Sequence, residues 1–300
     1  MDDKKNSNQN PDIDFTTDPS FQKSVKRTKW KQIVLYTAIS IITLVVFSML
    51  IYSGGEYLTN KKIEKEQAQN DELLKEGYQQ GALITSGTRY HHNLFSVIGK
   101  TTYFKTIGDR RIVWDTVTKK YPAIGDVEVI DQGSGMMEMS KLTNGDKRVV
   151  RYNKFNNERE IDFYFPGVSY NILPQELEIA TGLDENTLVE VALSFKEPKT
   201  QEELGELLGY ESVDWLWLNK TIEKELKQLE EEWEYDKDKV KRGEDAYGFP
   251  VSEKFPYDKN AKEDTTISGA VVTGTPSELE RFQDMEFVRA SVLGVTIDKY

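Results

Sequence analysis

The residues able to do chemistry are few and poorly arranged for it. His91 and His92 are the only histidines; being adjacent, they cannot share a helical face, and they read as two polar residues at the start of a domain rather than as a metal pair. The acidic run Glu230-Glu231-Glu232 lacks the loop spacing of a calcium site and reads as a solvated face. Gly133-Ser134-Gly135 is not a nucleophile elbow, and the GxSxG pattern is absent. Gly274-Thr275-Pro276 could offer backbone N–H groups to an anion, but a helix start already explains it. No cysteine is present, which excludes disulfides, a thiol nucleophile and Cys-ligated metal. The sequence implies no catalytic residue, no metal ligand and no cofactor, and predicts a protein that is not an enzyme.

The elements around these residues are organised by one apolar run, Ile33 to Tyr52, which holds no charge, Gly or Pro. Roughly twenty helical residues at about 1.5 Å each span about 30 Å, the hydrocarbon thickness of a bilayer. A signal peptide has a shorter apolar core behind a brief basic segment, so the run predicts a single transmembrane helix. Lys23, Lys26, Arg27, Lys29 and Lys31 crowd its N-terminal flank, whereas Lys61, Lys62 and Lys65 are interleaved with acids on the other side. Positive-inside bias then places the N-terminus in the cytoplasm of a cell membrane and the C-terminal part outside. The same five cations are suited to anionic lipid headgroups, at about 1 kcal/mol each. Residues 1–32 carry seven Lys or Arg against five Asp, a net of +2, so the remainder carries −14 of the total −12. An acidic remainder argues against nucleic acid as a partner.

The expected class is α+β: a transmembrane helix, an extracytoplasmic β-rich module, then a ferredoxin-like (split β-α-β) domain with a helical insertion. The expected divisions are a cytoplasmic tail (1–32), the span (33–53), a charged helical stalk (54–90), the β-rich module (91–170) and the C-terminal domain (171–300). Residues 1–18 are polar and predict disorder. Asp18-Pro19 predicts a helix start, Gly54-Gly55 a flexible exit from the membrane, and Glu56 to Gln80 a helix without a clean heptad. Strand patterns follow at 110–117, 126–130, 137–142, 148–152 and 160–165, with Asn144-Gly145 as a hairpin turn. After Leu188 a strand (188–195), a Thr200-x-x-Glu203 capping box and a strand (213–218) are echoed by a strand (267–273), a Thr275-x-x-Glu278 box and a strand (287–297). Two such units in one sheet define the split β-α-β layer. Between them, 221–241 predicts one amphipathic helix with Ile222, Leu226, Leu229 and Trp233 towards the sheet.

Several separated motifs resemble a known family. FQKSVKRTKWKQIVLYTAISIITLVVF from Phe21 is similar to the N-terminal region of membrane-bound sigma-factor regulators, or anti-sigma factors, of Gram-positive bacteria. LVEVALSFKEPKTQEELGELL, VDWLWL, Tyr247-Gly248-Phe249-Pro250, ISGAVVTGTPSELERF and FVRASVLGVTID resemble their C-terminal domain in order and spacing. The resemblance implies restraint of an extracytoplasmic-function sigma factor, coupled to an envelope signal. Many such proteins bind sigma through a zinc-binding helical domain built on His and Cys, and residues 1–32 contain neither. Direct binding would fall to Phe15, Phe21, Val25 and Trp30 on a segment that folds onto its partner. Two alternatives stand beside it: the tail anchors an exterior binding or scaffold module, or a second membrane protein supplies the sigma-binding surface.

Overall fold

The computed structural model describes residues 18–75, 78–133, 135–143, 146–209, 211–251 and 266–300. The chain divides into two compact units, Met1–Leu58 and Thr59–Tyr300. Phe15, the expected disorder of residues 1–17 and the Asn144-Gly145 turn lie outside the described residues.

Helix α1 (Pro19–Lys75) opens where Asp18 and Pro19 predict. The Ser20 backbone N–H donates to Asp18 Oδ1 at 2.9 Å and the Ser20 hydroxyl to Oδ2 at 2.8 Å, and these bonds hold the Asp18 carboxyl below its usual range. Within the apolar run Thr37 and Thr43 donate their hydroxyls to the carbonyls of Ile33 and Ile39, so these polar groups are satisfied inside the helix. The most apolar 18-residue window of α1 has a mean hydropathy of 2.5, and none of it is buried by protein. Gly54 and Gly55 do not form the expected flexible exit: both are helical. Each glycine costs about 1 kcal/mol in a helix, yet a break would require a second costly nucleation, and propagation from both sides prevails.

The second unit begins with the last turns of α1. After the two-residue strand β1 (Tyr78–Gln79) come β2 (Ile84–Asn93), β3 (Ser96–Ile107), β4 (Arg110–Pro122) and β5 (Glu128–Gln132), an antiparallel meander in that order. Part of the expected helical stalk, 84–90, is therefore strand. Its period was hidden because β2 is an edge strand exposed along nearly its whole length, held by its ladder to β3 rather than by an apolar face. Strands β6 (Met136–Thr143) and β7 (Asp146–Asn153) form a separate hairpin whose ladder closes at Thr143↔Asp146. Of the strand expected at 160–165 only β8 (Asp162–Phe163) pairs; Ile161 to Val168 otherwise serves as a buried apolar strip rather than a ladder.

A short helix α2 (Leu177–Thr181) precedes β9 (Thr187–Lys199), α3 (Gln201–Leu208) and β10 (Val213–Leu218). The insertion follows as α4 (Glu223–Glu232), α5 (Asp236–Lys239), β11 (Lys241–Arg242) and β12 (Tyr247–Pro250). Strand β13 (Ile267–Gly274), helix α6 (Pro276–Leu279) and β14 (Val288–Asp298) complete the chain. The principal sheet has the order β1-β12-β10-β13-β9-β14, and every pairing in it is antiparallel. Four consecutive strands, β10-β13-β9-β14, are those of the two β-α-β units, with β13 inserted between β9 and β10 and β14 at the edge: a split β-α-β, ferredoxin-like layer. Both capping boxes form. Thr200 and Thr275 each accept the N–H of the Glu three residues on, at 3.2 and 3.4 Å, and each Glu accepts the Thr N–H, at 2.7 and 2.8 Å.

Strand alternation divides the core into two. Val191, Leu193, Phe195, Leu216, Ala270 and Val272 pack with Leu204 and Leu208 of α3, Leu279 of α6 and Phe282 of the turn after it. Ala192, Trp215, Trp217, Val271 and Val292 face the strip Ile161 to Val168, with Leu226 and Leu229 of α4 packed outside it. The insertion thus covers the second face, although the single helix expected over 221–241 is two. Trp233 adopts an extended conformation and ends α4, and both Ile222 and Trp233 stay exposed instead of joining the stripe.

Candidate functional site

The N-terminal end of α1 carries the residues singled out for a partner. Phe21 and Val25 are one turn apart and share a face, whereas Trp30, nine residues after Phe21, projects from nearly the opposite side at about 100° per residue. Lys23, Lys26, Arg27, Lys29 and Lys31 are all exposed around the same turns. His91 and His92 stand exposed on β2, and among the described residues no three His, Asp or Glu side chains are placed to hold a metal. Glu230 accepts the Ser169 N–H at 3.2 Å.

The structure adds a region that the motifs did not disclose. At one end of the meander, Lys62 of α1 donates to the carbonyl oxygens of Pro122 and Gly125, at 2.5 and 2.6 Å. Ile63 is buried against Val97 and Tyr121. Glu66 pairs with Lys119, and Gln67 donates to the Tyr90 hydroxyl at 3.4 Å. Burial and a hydrogen bond to Glu66 both push the Tyr121 hydroxyl up, so it stays a neutral donor to that carboxylate. The last turns of α1 are thereby clamped by apolar and charged contacts together.

The other end of the meander docks on the ferredoxin-like sheet. Ile107 packs on Leu188 and Val295. Lys105, 3 % exposed, meets both carboxylate oxygens of Glu190, 1 % exposed, at 2.8 Å, with the Trp114 ring 4.2 Å from its ammonium. Glu190 also accepts the Val295 N–H at 3.2 Å. Position 294 must be glycine for this approach, because a Cβ there would lie 2.4 Å from Glu190 Oε2. Beside the pair the Thr273 hydroxyl accepts the Gly108 N–H at 2.9 Å and donates to Asp214 at 2.5 Å. A sequence signal existed: Lys105 falls in the inward set Val97, Tyr103, Lys105, Ile107, where the alternation of β3 calls for an apolar residue.

Further ion pairs fix the β6–β7 hairpin. Arg151 pairs with Asp162 at 2.8 Å and with Glu138 at 3.2 Å, while Glu176 receives Arg148 and Arg159 together. Burial pushes Glu176 up, but the two guanidinium groups outweigh it and hold the carboxyl below its usual range. A groove of about 660 Å³ between this hairpin and α4 is lined by Glu138, Arg151, Phe165, Trp233, Lys237 and Arg242. Its arginines are already paired, Arg242 with Glu244 and Asp245.

Burial raises two carboxyls near the docked end, Asp214 to about 6 and Glu160 to about 7, the latter helped by the charge of Glu244. An acid raised in the folded state contributes stability below its unfolded value, and that contribution is lost as pH rises through the folded value. Stability is therefore expected to fall between about pH 4 and about pH 7, and Asp214→Asn to recover about 1 to 2 kcal/mol at the upper end. Urea midpoints of the two proteins across this range check it; parallel curves would refute the role of Asp214.

The described chain thus combines one helix long and apolar enough to anchor it in a membrane with an α+β unit built on a ferredoxin-like sheet. Residues 181–266 match the family model described as "Sigma factor regulator C-terminal". This part of the chain is similar to the C-terminal domain of sigma factor regulators, and the match supports a sigma-factor regulatory role. The match runs from α2 through the insertion and stops before β13, so neither the second β-α-β unit nor the region around Phe21 lies within it. No curated protein and no solved structure matches the chain.

Proposed function

We propose that this protein is a single-pass membrane anti-sigma factor that restrains an extracytoplasmic-function sigma factor and releases it on an envelope signal. In this reading residues 1–32 are cytoplasmic, 33–53 cross the cell membrane, and the stalk, β-rich module and C-terminal domain (54–90, 91–170 and 171–300) lie outside. Phe21, Val25 and Trp30, with Phe15, contact sigma, while the basic cluster Lys23 to Lys31 holds anionic lipid. The observation that carries the reading is the regulator domain at residues 181–266 on the same chain as an unburied apolar helix. A sigma factor held by the tail is kept from RNA polymerase by occupancy alone, so no catalysis is required.

Deleting the gene is expected to raise transcription from one sigma-dependent promoter set. Phe21→Asp or Trp30→Asp should do the same while the protein remains in the membrane. Because the chain lacks cysteine, single cysteines at Asn8 and Asn260 report topology in intact cells, and only the second should react with a membrane-impermeant maleimide. Unchanged transcription in the deletion strain, with and without envelope stress, would favour an exterior binding module, and labelling at Asn8 alone would invert the topology.

A further inference from the structure

A sheet edge is a row of unpaired backbone donors and acceptors, and proteins ordinarily blunt it by shortness, charge, a bulge or a covering segment. Several edges of this molecule are treated in that way. On the principal sheet, β1 has two residues, and β14 is covered by the segment before α2: the Ser291 N–H donates to the Pro174 carbonyl at 2.8 Å and the Glu176 N–H to the Ser291 carbonyl at 3.0 Å. In the meander, β5 has five residues, carries Glu128 and Asp131, and shifts register against β4. Strand β2 has none of these devices. It runs for ten residues, ITSGTRYHHN, without Pro, Lys, Asp or Glu, and its ladder to β3 is unbroken from Ile84 to Asn93.

The ladder decides which backbone groups point outward. The Thr106 N–H donates to the Leu83 carbonyl at 3.1 Å, so the residues of β2 that bond to β3 alternate from there as Thr85, Gly87, Arg89 and His91. The N–H and C=O groups of Ser86, Thr88, Tyr90 and His92 therefore face away from β3, and among the described residues no backbone group outside the sheet bonds to them. Thr85 to Asn93 are exposed throughout. Gly87 is open as well, since a Cβ there would meet no atom within 4 Å.

We propose that β2 is the interface of a homodimer, in which two copies of the chain pair their β2 strands antiparallel and join two four-stranded meanders into one eight-stranded sheet. The occupant follows from the composition of the edge. With outward groups opposed, two registers related by a two-fold axis pair nearly the whole strand, one centred on Thr88 and the other on Arg89. Centring on Arg89 sets two guanidinium groups directly opposite each other, where like charges are destabilising. Centring on Thr88 sets each Arg89 opposite the open Gly87 of the other copy, Thr85 opposite His91, and Thr88 opposite itself. A strand with one cation in ten residues offers little to select a charged peptide, whereas a second copy satisfies its outward backbone groups and meets that cation with a glycine. The proposal is independent of the sigma-factor reading.

Sedimentation of the detergent-solubilised full chain tests this. The wild type should dimerise reversibly, and a chain that is monomeric at every concentration would overturn the proposal. Thr88→Pro removes an outward N–H and leaves the ladder to β3 intact, as proline on a sheet edge does. It should weaken the dimer at least about tenfold, because two reciprocal bonds across the axis are lost. Thr88→Lys and Thr88→Glu should each be monomeric where the wild type is dimeric, and the dimer should return when the two are mixed. Circular dichroism matching the wild type identifies the variants that have kept their fold. Undiminished dimerisation of all three folded variants would place the contact elsewhere, on the apolar helix for example, and overturn the proposal; so would a mixture of the Lys and Glu variants that stays monomeric. The register has its own check in this cysteine-free chain. Thr85→Cys and His91→Cys should cross-link on oxidation only when the two proteins are mixed, and cross-linking of either alone would overturn pairing about Thr88.

Discussion

Lys105→Met is expected to destabilise the protein by about 3 to 5 kcal/mol, because it leaves the Glu190 carboxylate buried without its cation. Glu190 retains the Val295 N–H as a donor, which is a partial substitute for a charge. The ammonium is nearly inaccessible, held between Glu190 and the Trp114 ring where the meander meets the sheet. Glu190→Gln should cost less than Lys105→Met if the amide keeps the Val295 bond, although it strands the ammonium in turn. The joint replacement Lys105→Met with Glu190→Leu should recover much of the loss, since a buried pair exchanged for apolar groups of similar volume is often near neutral. Urea midpoints of the detergent-solubilised full chain, followed by tryptophan fluorescence, separate these outcomes. Single and double replacements of equal cost would show that packing, and not the stranded charge, dominates.

Trp215→Ala is expected to cost a similar amount, about 3 to 5 kcal/mol, through lost transfer energy and the cavity left behind. Trp215 is fully buried in the second face of the core, among the group that includes Phe163, Trp217 and Val271. Strand β12 adds to the loss. A Cβ at Gly248 would lie 2.2 Å from the Leu216 carbonyl oxygen and 2.3 Å from Trp215 Nε1, so the glycine exists to let β12 lie against this ring. Without the indole, the strand's support goes with the core. Loss of near-ultraviolet circular dichroism together with a lowered melting temperature would check it, and a shift within the range of a surface substitution would show that the site collapses around the gap.

Among the particulars, Tyr247-Gly248-Phe249-Pro250 was visible as a motif, but its reason was not. The glycine is required by Trp215, thirty-three residues earlier, and becomes adjacent only when β12 pairs with β10. The clamp on α1 was hidden for a similar cause. Lys62, Ile63 and Glu66 read as an ordinary charged helix, and their partners at Val97, Lys119, Tyr121, Pro122 and Gly125 are separated from them by a whole hairpin.

What the sequence determined by itself was whatever local physics dictates: the apolar run, its Asp18 cap, both capping boxes, the alternation of β9, β10, β13 and β14, and hence a mixed α+β chain with a regulator-like C-terminal region. These depend on residues within a few positions of one another, so the pattern and its cause are read together. Tertiary structure decided the rest. Strand order placed β13 between β9 and β10, packing broke the insertion helix at Trp233, and edge pairing made a strand of 84–90, where composition offered no period. It also chose which charges are buried. Lys105 stands out in the chain only as a charge at an inward position of β3, and its pairing with Glu190 is settled only when the meander closes on the sheet, because desolvation is paid by a three-dimensional surface and not by a run of residues.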